Sequence, residues 1–128
     1  MVDPKQTILV VDDDPEVREV ALDVLEAVGY RVIAAASGDD AYTLLLAHPD
    51  LRVDALFTDV VMPGQLDGID LAIAARSLRP GLPVLYASGF ANLVRSPLHN
   101  ALAIPLLRKP YRAGELCRAV TGLLDSVA

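Results

Sequence analysis

The sequence predicts an α/β fold: a three-layer, doubly wound sandwich built on a five-stranded parallel sheet. Three observations carry this. Short apolar runs rich in β-branched residues alternate five times with segments of helical period. The best-defined strand is apolar on both faces, as in a sheet covered by helices on either side. Strands that alternate with helices pair in parallel through right-handed crossovers.

Taken in order, Thr7 to Val11 is a continuous apolar run closed by Asp12-Asp13-Asp14-Pro15, and it is predicted as a central strand. Val17, Val20, Ala21, Val24, Leu25 and Val28 then recur at helical spacing and predict an amphipathic helix with that stripe inward. Pro15 suits its first turn, the acid before it suits the cap, and Gly29 ends it. Tyr30 to Ala35 is a second strand, placed at a sheet edge by the charge of Arg31. Ser37 caps a helix from Asp39 to Ala47, with Asp40 in a capping-box position. Ala41, Leu44 and Leu45 form its inner stripe, and Pro49 stops it.

Val53 to Thr58 is the third strand, and it delivers Asp59 to the sheet rim before the chain breaks at Met62-Pro63-Gly64. A helix follows from Gly68 to Leu78, with Leu71, Ala74, Ala75 and Leu78 on one face, widened by Ile69 and Ile73. Pro83 to Ala87 is the fourth strand, closed by Ser88-Gly89. The segment Phe90 to Ala103 has helical character from Ala91 to Arg95, which Pro97 should interrupt, unless Ser96-Pro97 is the cap and first position of a second short turn. Ile104 to Leu107 is a fifth strand, and Pro105 suits an edge. The last helix runs from Arg112 to Asp125, with Ala113, Leu116, Val120 and Leu123 inward.

Composition narrows the function. A chain of 128 residues, 53% hydrophobic and 22% charged, fits one globular domain, residues 1–128 with a core over about 6–126. A net charge of -6 opposes the phosphate contacts that drive nucleic-acid binding, so no direct DNA or RNA partner is expected. The single cysteine, Cys117, excludes an intramolecular disulfide and fits a reducing compartment. No run approaches the ~18 apolar residues of a membrane span. The N-terminus lacks the apolar core of a signal peptide, so the expected location is cytoplasmic, without a membrane partner.

In doubly wound sheets, ligands bind beyond the carboxyl ends of the strands. Asp12 and Asp13 end the first strand, Asp59 the third and Ser88 the fourth, and Lys109 follows the fifth. Three clustered carboxylates suit a hard divalent cation such as Mg²⁺. A carboxylate can attack phosphorus, forming an aspartyl phosphate. Lys109 would then bind a phosphoryl oxygen as a point charge, and Ser88 would hydrogen-bond another. Neither His48 nor His99 falls at a strand end, so no histidine base is offered. Each piece has a plainer reading. Asp12 to Pro15 can be a helix cap, which is the whole role expected of Asp14, and Asp59 can be a strand-to-loop junction. Glu16, Glu19, Asp23 and Glu26 form a solvated helix face, and Cys117 reads as a small buried side chain. Joint placement at the strand ends is what points to a site.

Val10-Val11-Asp12-Asp13-Asp14-Pro15, Thr58-Asp59-Val60-Val61-Met62-Pro63-Gly64, Asp67-Gly68, Ala87-Ser88-Gly89 and Lys109-Pro110 together resemble the receiver domain of bacterial two-component response regulators. The resemblance covers essentially the whole chain. It implies a flavodoxin-like sheet of order 2-1-3-4-5. It implies that Asp59 is phosphorylated from a phosphohistidine on a sensor histidine kinase or histidine phosphotransfer protein. Asp13, Asp59 and the backbone carbonyl of Val61 would ligate Mg²⁺, with Asp12 assisting through water. Ser88 would follow the phosphoryl group inward as a switch residue, and Lys109 would pair with that group, and with Asp59 before transfer. The Lys109-Pro110 peptide is expected to be cis. Such a chain is a signalling module that catalyses its own phosphorylation and slow dephosphorylation and switches affinity for a downstream protein. A kinase docks near the first helix in this family, and a homodimer through the last helices and strand is an arrangement it allows. No output domain is expected after the last helix, so a stand-alone regulator, a phosphorelay shuttle and the receiver of a hybrid kinase all fit.

The chain departs from the family pattern in three places. The switch position three residues before the lysine is Leu106, where an aromatic residue is common. The loop between Pro63 and Asp67 is one residue longer than usual, and the Pro97 segment is poor helix material. Val61 and Phe90, two residues beyond Asp59 and Ser88, are apolar and cannot orient an attacking water, so slow self-dephosphorylation is expected. Two other functions use the same architecture. A Mg²⁺-dependent phosphatase or phosphotransferase would use the same aspartate but usually carries a second acid where Val61 stands. A nucleotide- or flavin-binding module would want a Gly-rich first loop, and here that loop is Asp-Asp-Asp-Pro.

Overall fold

The computed structural model describes residues 6–89 and 105–125. Strands β1 (Thr7–Val11), β2 (Arg31–Ala35), β3 (Ala55–Asp59), β4 (Val84–Ser88) and β5 (Leu106–Arg108) form one sheet in the order β2-β1-β3-β4-β5. Every neighbouring pair is parallel. The described helices are α1 (Pro15–Val28), α2 (Gly38–Ala47), α3 (Gly68–Leu78) and α4 (Ala113–Asp125). Both predicted edge strands, β2 and β5, are edges. The helical segment expected from Ala91 to Arg95, with its break at Pro97, lies outside the described residues.

Strand parity divides the core into two layers. Leu9, Val11, Leu56, Val84 and Tyr86 pack with Ala41 and Leu45 of α2 and with Leu71, Ala72 and Ala75 of α3. Ile8, Val10, Ala55, Phe57, Leu85 and Ala87 pack on the other face with Ala21 and Leu25 of α1 and Leu116 and Val120 of α4. Successive side chains of a strand point to opposite faces, so strands apolar throughout feed both layers. The caps are those expected from the residue types. Asp14 accepts from the backbone N–H of Glu16, Ser37 from that of Asp40 and Asp67 from that of Asp70.

Several sequence-derived expectations need correction. Val53 and Asp54 lie outside β3, which continues instead through Asp59; β4 likewise continues through Ser88 and β5 through Arg108. The ladder is a backbone property, and it runs on beneath the polar side chains: Val60 N–H donates to the Ala87 carbonyl and Lys109 N–H to that of Ser88. The buried helix faces are also narrower than the apolar sets that predicted them. Val20 is 55% and Ile73 67% exposed, and Leu78 and Ala113 are exposed as well. A helix turns about 100° per residue, so Ile73 sits roughly 200° around from Leu71, and Ala72 takes the inward place instead.

Leu56 is fully buried in the central part of the sheet, whereas Ile73 faces solvent. Leu56→Ala is expected to cost about 2–5 kcal/mol, through lost transfer energy and the cavity left behind. Ile73→Ala should stay within about 0.5 kcal/mol of the parent, as surface changes usually do. Urea unfolding of the two variants checks the contrast.

Candidate functional site

The chain leaves β1 for the edge strand β2 and returns to β3 on the other side of β1. That reversal creates the crevice at which such sheets bind ligands. In the β1–β3 register, Val11 stands opposite Thr58, so Asp12 and Asp59 follow at adjacent strand ends. Parity then sorts the side chains. Asp12 continues the alternation of Val10, Asp59 that of Phe57 and Lys109 that of Leu107, all residues of the layer against α1 and α4.

The result is a direct charge contact. Lys109 Nζ lies 2.9 Å from Asp12 Oδ2 and 3.0 Å from Asp59 Oδ2. Both carboxylates are buried, with Asp12 5% and Asp59 8% exposed. Asp13 stands beside them in solvent, and one oxygen from each of Asp12, Asp13 and Asp59 lies within 4.8 Å of the other two. An all-oxygen set at that spacing fits a hard cation held by bonds of about 2.1 Å. The backbone is braced around it. Asp12 Oδ1 accepts from the Asp14 N–H at 3.0 Å, and Arg18 donates to the Asp12 carbonyl at 2.8 Å. The Lys109 N–H donates to the Ser88 carbonyl at 2.8 Å, and the Lys109-Pro110 peptide is cis, as the resemblance implied.

The other candidate residues are spread around this centre. Ser88 is buried at the end of β4, where its hydroxyl donates to the Gly89 carbonyl at 3.3 Å. Its strand parity is that of Val84 and Tyr86, whose layer lies on the sheet face opposite the charge cluster. Val61 is 53% exposed on the loop just after Asp59. Leu106 is half-buried in β5, directly opposite Tyr86. Phe90 lies outside the described residues.

Burial raises the Asp59 pKa above its ordinary value of 3.8, Lys109 counters this, and the charges of Asp12 and Asp13 add to the rise. Burial alone would lower the Lys109 pKa. The hydrogen bonds and charges of Asp12 and Asp59 outweigh it and hold Lys109 above 10.5. Three carboxylates facing one ammonium leave a formal surplus of two negative charges, which favours uptake of a cation.

Sequence reasoning missed three features. Asp12 bonds Lys109 directly, a contact that strand parity could have indicated. Gly68 donates its N–H to the Val60 carbonyl at 2.8 Å, and a Cβ there would sit 1.9 Å from the Asp59 carbonyl oxygen. The start of α3 thus lies directly on the Asp59 backbone, an approach that only glycine permits. Tyr111 stacks edge-on against Phe57 at 5.7 Å between ring centroids, and burial followed by the charge of Asp12 pushes its phenol up to about 12. With Glu16, Val17, Val20, Lys109 and Pro110, Tyr111 lines a groove of about 500 Å³ that opens beside the charge cluster.

Comparison with known proteins gives a consistent picture. Residues 8–121 match the family described as the response regulator receiver domain. The response regulator receiver protein CpdR of Brucella abortus (strain 2308) is 33% identical over 118 residues, covering 91% of this chain and 95% of that protein. The sensor kinase CckA of the same organism is 31% identical over 120 residues, covering 93% of this chain but only 12% of the kinase. Among solved structures, a response regulator receiver protein from Sinorhizobium medicae WSM419 superposes with a TM-score of 0.84 at 28% identity, covering 97% of this chain and 98% of that one. The receiver domain of the hybrid histidine kinase CckA gives 0.75 at 31% identity, covering 92% and 98%.

The raised Asp59 pKa has a definite sign for stability. Between 3.8 and the raised folded value, the folded state holds more protons than the unfolded chain, so ionised Asp59 opposes folding and stability falls as pH rises through that window. In metal-free buffer, Asp59→Asn should therefore melt higher than the parent at pH 7. The advantage should vanish below pH 3.8, where the carboxyl is neutral in both states. Thermal melts at the two pH values check it, and a variant that melts lower at pH 7 would contradict it.

Proposed function

The chain belongs to the response regulator receiver domain family, a signalling module of two-component systems, and on that premise we propose that Asp59 accepts a phosphoryl group from a phosphohistidine. The observation that carries this reading is the contact of Lys109 with both Asp12 and Asp59 beside a third carboxylate. A divalent cation fits the donor set. Asp13, Asp59 and the Val61 carbonyl would hold Mg²⁺, with Asp12 assisting. When bound, the ion would supply charge neutralisation at the incoming phosphoryl oxygens.

The chain's own residues do the rest. The Asp59 carboxylate supplies the nucleophilic oxygen. The new phosphorus–oxygen bond forms as the phosphorus–nitrogen bond of the donor breaks, and the electron pair leaves on the imidazole. Lys109 is already within hydrogen-bond reach of Asp59 and can shift to a phosphoryl oxygen, so its positive charge is in place before transfer. Ser88, at the end of the next strand, offers a hydroxyl to the product and serves with Leu106 as the switch pair. The donor is a sensor histidine kinase or a histidine phosphotransfer protein. The groove between α1 and Tyr111 supports its approach beside the nucleophile. Among the described residues no helix is long and apolar enough to cross a membrane, which accords with a proposed cytoplasmic role.

Incubation with acetyl phosphate and Mg²⁺ should add one phosphoryl group by intact mass, and Asp59→Asn should abolish the adduct. Turnover of a phosphate ester without a stable adduct would instead mark a small phosphatase. The exposed Val61 side chain cannot orient water, so the adduct should be long-lived. Val61→Asn should shorten its half-life about tenfold, less than the ~10²–10⁴-fold of a positioned acid or base, since an amide orients water without taking its proton. An unchanged rate of phosphate release would sink that assignment.

A further inference from the structure

The chain between β3 and α3 carries the Val61 carbonyl, assigned above to the metal. Its root is tied to the sheet: Val60 N–H donates to the Ala87 carbonyl at 2.9 Å, and Gly68 N–H to the Val60 carbonyl at 2.8 Å. Beyond that root, among the described residues, the hydrogen bonds that tie residues 61–66 to another element come from one side chain. Asp39, in the first turn of α2, accepts from Leu66 N–H with Oδ1 at 2.9 Å and from Gln65 N–H with Oδ2 at 3.2 Å. Consecutive amides thus use both oxygens of one carboxylate, across more than twenty-five residues of sequence. Hydrogen bonds to a charged acceptor are the stronger kind. The approach is close because the neighbouring residue is glycine: a Cβ on Gly38 would stand 2.4 Å from the Leu66 carbonyl oxygen.

We propose that Asp39 is a positioning residue for the phosphorylation site: it clamps the 61–66 loop to α2 and so fixes the Val61 carbonyl for the metal. The inference rests on the reading of Asp59 and Val61 given above. A carboxylate is suited to the task because it is acceptor-only and can serve two N–H donors at once. Asparagine keeps one acceptor and turns an NH₂ group toward the other donor. Asp40 shares the first turn of α2 and its charge, but among the described residues the hydrogen bonds from Gln65 and Leu66 go to Asp39 and none goes to the Asp40 side chain. It therefore separates clamping from any general benefit of an acid at a helix start.

The test compares the parent with Asp39→Ala, Asp39→Asn and Asp40→Ala, well below their melting temperatures. Amide hydrogen exchange reads the clamp, Mg²⁺ titration calorimetry reads the metal, and phosphoryl uptake from acetyl phosphate reads the reaction. In Asp39→Ala, protection of the Gln65 and Leu66 amides should be lost and Mg²⁺ affinity should fall about tenfold, the scale expected when support behind a ligand is removed. Uptake at a fixed sub-saturating Mg²⁺ concentration should slow in proportion and recover at saturating Mg²⁺. Asp39→Asn should fall between, and Asp40→Ala should match the parent. Equal losses in Asp39→Ala and Asp40→Ala would overturn the proposal, as would a lower melting temperature for Asp39→Ala with unchanged exchange and Mg²⁺ affinity. Failure of the parent itself to take up phosphate would overturn the functional reading, a result distinct from the exchange and titration outcomes.

Discussion

One ammonium group holds together what the strand ends would otherwise push apart. Asp12 and Asp59 are buried side by side at the rim, and each would repel the other if left alone. Lys109 reaches both from the far edge of the sheet. Removing Lys109 would be costly, because two buried carboxylates would be left uncompensated, whereas neutralising Asp59 leaves Lys109 its bond to Asp12. The cluster still keeps its surplus of negative charge. It is therefore stable enough to fold and unsatisfied enough to take a cation, which a fully neutralised cluster would not be.

This constraint explains much of the surrounding architecture. The charges can meet only because β1 and β3 are neighbours across the switch point, and because Lys109 shares the parity of Leu107. A one-residue slip in β5 would send the lysine to the other face. Three braces guard the register along the carboxyl rim of the sheet: the Lys109 N–H to the Ser88 carbonyl, the Val60 N–H to the Ala87 carbonyl, and α3 seated on the Asp59 carbonyl through Gly68. For the function proposed above such rigidity matters, since small misplacements at a reacting centre are expensive.

The sequence made some of this legible and some not. The apolar runs and their polar ends located the strands, because burial on both faces leaves a plain hydrophobic signature. Both edges of the sheet followed from Arg31 and Pro105. Helix faces were read too broadly at Val20 and Ile73, because periodicity marks every apolar position near the stripe and only packing decides the margin. Gly68 and Asp39 were harder to see. The first matters through a contact with a carbonyl, the second through bonds to backbone amides more than twenty-five residues away, and neither contact has a local sequence signal. Asp39 also sits where an acid suits a helix start anyway, so its plainer role hid the other.

The two core layers also bear on how a signal would leave the site. Asp12, Asp59 and Lys109 follow the parity of the layer against α1 and α4, whereas Ser88 follows that of Tyr86, in the layer against α2 and α3. Leu106 packs in that second layer too, directly across from Tyr86. An aromatic ring on β4 thus faces an aliphatic side chain on the edge strand. Tyr86 is buried and Leu106 half-buried beside it, and close-packed side chains transmit strain to one another. Any movement of Ser88 toward a phosphoryl group would therefore be felt first along β4, at a tyrosine two residues away, before it reached the edge strand.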